Sequence, residues 1–244
     1  MPFYKNAPLL EAIIDFRVRI NPEQAQEISE RLLAVFGGVF TKSEPKRQFG
    51  IEWQIAGNVV PTPMPERTVG YRFDNEPADY CLQVTADGFT LSSLPPYPGW
   101  EHFSDQARKL WGLYVSATNA DTVTRIAVRY IGQITFPQED PIEDYLRIYP
   151  ATPSDLPGSG IAIAVTQFQV PQPDINSHLV INQTGVEEYD NHIVSVSLDF
   201  DLFRNVEWST NDTEQLWTFL EVLRNRKNDV FESVITDRTR ERIS

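Results

Sequence analysis

The chain has 244 residues, 41% hydrophobic and 11% aromatic, with a formal net charge of -13. Such a composition belongs to a folded protein with a sizeable core, not to a disordered or fibrous chain. The acidic balance sets the long-range field against phosphate backbones and anionic membrane surfaces, so nucleic acid is a disfavoured partner and a membrane is not expected as one. No apolar run is long enough for a membrane span, and Lys5, Asn6, Pro8, Glu11 and Asp15 interrupt the first segment before a signal-peptide core can form. The single cysteine, Cys81, makes no internal disulfide, and that usage fits a reducing cytoplasm.

The first predicted element is a strand from Ala12 to Ile20. Ile14, Phe16, Val18 and Ile20 alternate with Ile13, Asp15, Arg17 and Arg19, so one face is core and the other mostly polar. Asn21-Pro22-Glu23-Gln24 then opens a helix with a cap, a proline at its first position and a glutamine three residues on. Ala25, Ile28, Leu32, Val35 and Phe36 give that helix an apolar stripe, and Gly37-Gly38 ends it. Four strands are expected next, at Phe49–Ile55, Gly70–Asp74, Tyr80–Ala86 and Phe89–Leu94. The run from Pro61 to Pro65 reads as a loop, and Asp87-Gly88 as the hairpin turn between the last two strands. After "PPYPGW", a second helix carries Trp100, Phe103, Ala107, Leu110, Trp111 and Tyr114 at helical spacing.

From Thr122 the order begins again. A strand to Phe136 places Ile126, Val128, Tyr130 and Ile134 on one face, with Arg125, Arg129 and Gln133 on the other. A short helix over Pro141–Ile148, strands at Ile161–Val170, His178–Val186 and Ile193–Phe203, and a closing helix from Thr213 complete the chain. Each half, residues 1–120 and 121–244, reads as strand, helix, antiparallel meander, long helix. The expected fold is therefore α+β, two pseudo-duplicated halves sharing one curved antiparallel sheet on long helices. That is the architecture of the fold named after the TATA-box-binding protein.

Three segments carry a resemblance: "YKNAPLLEAIIDFRV" at Tyr4–Val18, "TRIAVRYIGQI" at Thr124–Ile134 and "NDVFESVITDRTRE" at Asn228–Glu241. Together they resemble a sporadically distributed family of uncharacterised bacterial proteins of about this length. The resemblance spans the chain and implies a single unit from end to end, without an assigned activity.

The candidate ligand-binding residues are Arg17, Arg19, Arg125 and Arg129, which period-two alternation puts on the face away from the helices. Guanidinium groups fork onto phosphate or carboxylate, so these four suit an anionic small molecule or a partner's acidic segment. Asp15, Asp199 and Asp201 share that face and are the alternative partners, as cross-strand ion pairs. His102, His178 and His192 stand far apart in the chain without metal-ligand spacing, and "PGSG" at Pro157–Gly160 is too short for a phosphate loop. No metal, cofactor or catalytic residue is assigned. The acidic pairs Glu139-Asp140, Glu143-Asp144 and Glu187-Glu188 read as solvated loops.

Residues 221–244 hold six basic against five acidic side chains, which reads as a solvated helix face. The function expected is non-enzymatic binding or protein interaction, with another protein or a second copy as partner. The alternatives are a divalent-metal-dependent hydrolase using the open-face aspartates, and nucleic-acid or nucleotide binding on the same face.

Overall fold

The alternation of the first segment carries through as strand β1 (Leu9–Val18), whose Ile14, Phe16 and Val18 are buried. A computed structural model describes residues 4–48, 51–54, 60–63, 66–76, 79–151, 153, 163–188 and 192–244. Asn21 caps a single 3-10 turn at Pro22–Gln24, which leads into helix α1 (Ala25–Phe36). Next come β2 (Lys42–Gln48), the paired strands β3 (Ile51–Gln54) and β4 (Val60–Pro63), then β5 (Arg67–Asp74), β6 (Tyr80–Thr85) and β7 (Gly88–Ser93). Helix α2 (Trp100–Thr118) buries the expected aromatic stripe and ends at Asn119, whose φ of 54° is the left-handed stop. The second part runs β8 (Thr122–Pro137), β9 (Ile163–Gln172), β10 (Ser177–Glu188), β11 (Ile193–Ser209), α3 (Thr213–Val234) and α4 (Asp237–Ile243).

The protein is α+β, with nine strands in one large antiparallel sheet ordered β2-β5-β6-β7-β1-β8-β11-β10-β9. Several expected elements are corrected. The strand expected at Phe49–Ile55 is present as β3, but it pairs with β4 in a separate ribbon, with Ile51 opposite Pro63 and Trp53 opposite Pro61 in the register, and an unexpected charged strand, β2, precedes it. The prolines that suggested a loop there are tolerated because each strand of a two-stranded ribbon is an edge. The β6–β7 loop is Ala86-Asp87, with Gly88 already paired to Thr85. Over Pro141–Ile148 only one 3-10 turn forms, Ile142–Asp144, followed by an isolated bridge from Leu146 to Ile235. The "PGSG" turn lies outside the described residues.

The chain forms two compact units. One comprises Ile14–Arg125 and Val206–Asn211; its core joins α1 to β5 through Phe36 and Phe73, with ring centroids 5.7 Å apart. Trp111 of α2 stacks on Phe16 at 4.3 Å and meets Phe89 edge-on. The other unit comprises Met1–Ile13, Ile126–Asn205 and Asp212–Ser244. There α3 lies on the sheet, with Phe231 against Phe200 and Tyr4, while Tyr145 stacks on Phe136 at 4.5 Å. The C-terminal segment belongs to this fold. Arg238 reaches Asp140 and Asp144, Arg240 reaches Glu232 and Asp237, and the Thr239 hydroxyl donates to the Tyr145 carbonyl. None of the described residues forms a helix long and apolar enough to cross a membrane.

Candidate functional site

Strand pleating puts Asp15 and Arg17 of β1 and Arg125 of β8 opposite the helix-covered residues, and within their unit they meet. Asp15 is 6% exposed, and its carboxylate accepts from three donors: Arg125 Nη1 at 2.6 Å, the Thr90 hydroxyl at 2.7 Å and Arg17 Nη2 at 3.0 Å. Arg17 lies across Gly88, where an added Cβ would fall 2.2 Å from Nη1. A side chain there would have to displace the tip of Arg17 and the Thr85 hydroxyl. Arg19, further out, forks onto Glu207 with both bonds at 2.6 Å, in a pair more than half exposed on each side.

The other unit holds Arg129. Its Nε and Nη2 grip the two oxygens of Asp199 at 2.7 and 2.6 Å, and Asn182 of β10 donates to the same carboxylate. Asn182 in turn accepts from Gln167 of β9, so a polar chain crosses four strands. The hydrogen bonds to Asp199, outweighing burial, hold the Arg129 guanidinium above its ordinary pKa, and Asp201 adds to that field. All four candidate arginines thus carry a carboxylate partner, and an anionic ligand would have to displace one.

The remaining candidates disperse. Among the described residues no three His, Cys, Asp or Glu side chains converge on a metal-sized site. His178 stacks on Phe203, and His192 sits at a positive φ of 52°. Asp140 and Asp144, read as solvated loop acids, converge on Arg238, which also covers the Tyr145 ring. A cavity of about 210 Å³ lies in the same unit, between the covered sheet face and the segment after β8. Its floor is the cross-strand row Ala164, Gly185 and Val196, whose small members leave room beneath Phe136, Ile142 and Pro150. Gln183 closes one end, donating to the Ile148 carbonyl and accepting from Thr166.

The two sheet edges are unlike. Edge strand β2, "KSEPKRQ", is defended by charge and by Pro45, with Lys42 paired to Glu76 and Arg47 to Glu66. Edge strand β9, "IAVTQFQVPQ", has no charged residue, and Pro171 near its end is its one edge-blocking feature. Among the described residues, four of the nine exposed large apolar side chains fall on it: Ile163, Val165, Phe168 and Val170. Phe168 and Val170 align with buried Ile181 and Leu179 of β10, whereas Ile163 and Val165 point to the other face. The absence of charge across ten residues was visible in the sequence; that β9 ends the sheet was not.

No known protein family, no curated protein and no solved structure matches the chain.

Proposed function

We propose that the protein is a non-enzymatic interaction protein that takes an extended segment of a partner along the free edge of β9. The contrast between the two edges carries this reading. An unpaired row of backbone donors and acceptors flanked by apolar side chains is a template for strand addition, and β2 has the protections that β9 lacks. The partner's chemistry follows from charge. The unit containing β9 holds ten basic and nineteen acidic residues, a net of -9, so a second copy is repelled and an apolar, net-basic segment is attracted. The open-face arginines then serve the sheet, each held by a carboxylate.

The same proposal takes the fold as two duplicated halves of the TATA-box-binding-protein kind, the second with the 3-10 turn Ile142–Asp144 where the first has α1. Strand order supports it: reading outward from the middle, each half runs from its first strand to its last and back through its meander, β1-β7-β6-β5-β2 and β8-β11-β10-β9. The buried thiol of Cys81 and the resemblance noted above favour a bacterial cytoplasm.

The test uses two fluorescent synthetic peptides, alternating valine with lysine and valine with glutamate, followed by polarisation, and sedimentation of the protein alone. The lysine peptide is expected to bind, more tightly at low salt, and Val165→Lys is expected to weaken it about tenfold without loss of fold. Binding of neither peptide to a monomeric protein would overturn the reading. A dimer abolished by Val165→Lys would overturn the choice of partner and put a second copy on the edge.

A further inference from the structure

The cavity on the covered face of β9, β10 and β11 is a hollow that the backbone does not impose. Its floor is the row Ala164, Gly185 and Val196, and a Cβ added at Gly185 would meet nothing nearer than Val196 Cγ2, at 3.8 Å. A larger side chain could close the space, yet these small residues leave about 210 Å³ open. The wall is apolar along the sheet. Gln183, 2% exposed, spends its amide on the Ile148 carbonyl and the Thr166 hydroxyl, so it offers nothing further to a ligand.

The polar groups come from one segment, "QEDPIED" at Gln138–Asp144, which has four carboxylates and no basic residue. Gln138 and Asp140 line the cavity. Tyr145 and Arg238 both donate to Oδ2 of Asp140, and among the described residues none donates to its Oδ1. Arg238 is shared between Asp140 and Asp144, and Arg242 acts on the Tyr145 hydroxyl. Glu139 and Glu143 are exposed and form no ion pair among the described residues, so four carboxylates stand against two cations.

We propose that this cavity takes a small apolar primary amine, its ring or chain on the floor and its ammonium at Asp140 and Gln138. Size sets the body: an apolar hollow of roughly 150 Å³ accepts a benzene ring, so this one suits about eight or nine non-hydrogen atoms. Charge sets the head. An ammonium donates three hydrogen bonds and accepts none, which matches a carboxylate oxygen beside an amide oxygen. The unit's net charge of -9 draws a cation in and repels an anion. Arg238 keeps its hold on Oδ2 meanwhile, and the hollow is partly open, which gives the ligand a way in. A mostly apolar lining with a few convergent polar groups is the usual make-up of a small-molecule site. Binding here is separate from strand addition, since it uses the covered face of β9 and not its free edge.

The isotope-labelled full chain is titrated with phenethylamine, phenethyl alcohol and phenylacetate, and backbone amide shifts are followed by NMR. The amine is expected to move the amides of Ala164, Gly185 and Val196 with a Kd of about 0.1–1 mM. It should bind at least about tenfold more tightly than the alcohol, and phenylacetate should leave those amides unmoved. Asp140→Asn should bring the amine to the affinity of the alcohol. Gly185→Leu should fill the hollow and abolish the shifts without lowering the melting temperature, and Ala164→Met makes the same test from β9 should Gly185→Leu fail to fold. Amine shifts that miss the floor, or an unchanged affinity in a folded filled variant, would overturn the proposal. Equal binding of amine and alcohol to the unaltered chain would overturn its cationic part.

Discussion

Charged side chains in this protein differ in worth according to how far water has been excluded from them. Asp15 is nearly buried and serves three donors at once, so Asp15→Ala removes one acceptor each from Arg125, Arg17 and Thr90. A loss of about 2 kcal/mol is expected in urea unfolding. Arg19→Ala, which opens an exposed pair with Glu207, should change stability by less than about 0.5 kcal/mol in the same measurement. Lys227 supplies the pH dependence. Its folded pKa, about 7, lies below the ordinary 10.5, so between those values the unfolded chain binds more protons and stability rises with pH. The cost of burying the ammonium is fully present below pH 7. Lys227→Met should therefore raise the melting temperature most at and below pH 7, with an advantage that shrinks as the pH approaches 10.5.

At the scale of strands, two glycines make opposite predictions. A Cβ at Gly70 of β5 would sit 2.0 Å from the Val84 carbonyl oxygen, in the backbone of β6, which cannot move without breaking the ladder. Gly70→Ala should cost more than about 2 kcal/mol. At Gly185 of β10 the nearest atom to an added Cβ is Val196 Cγ2 at 3.8 Å, facing the cavity. Gly185→Ala should instead stabilise by about 0.5–1 kcal/mol, because it stiffens the unfolded chain and fills space. Thermal unfolding of the two variants side by side checks both signs.

For the whole molecule the decisive fact is how the chain is shared between its two units. One unit takes Val206–Asn211 from the far end of β11, and the other takes Met1–Ile13 from the start of β1. A cut at Asn119–Asp121 therefore releases two pieces, each missing a strand end its unit requires. Proteolysis there should leave no separately stable fragment, as followed by circular dichroism of the purified pieces. Two cooperatively folded fragments would contradict that expectation.

The sequence by itself determined the elements that rest on local rules: the alternation of β1 and β8, the stripe of α2 and the Asn21 cap. A period of two also sorted Arg17 of β1 opposite Phe16 and Val18, and Arg125 and Arg129 of β8 opposite Ile126 and Val128, without knowledge of neighbours, whereas Arg19 lies past the end of β1. Only the tertiary structure decided which carboxylate each guanidinium finds, because Asp15 and Arg125 are 110 residues apart and Arg129 and Asp199 are 70. It alone made β2 and β9 the ends of the large sheet among the described residues. Lys227 shows the division within one residue: the break in the apolar stripe can be read from spacing, but the Tyr130 ring and the loss of water that change its chemistry arise only when β8 and α3 pack together. Spacing reports which way a side chain points, and long-range contact decides what it meets.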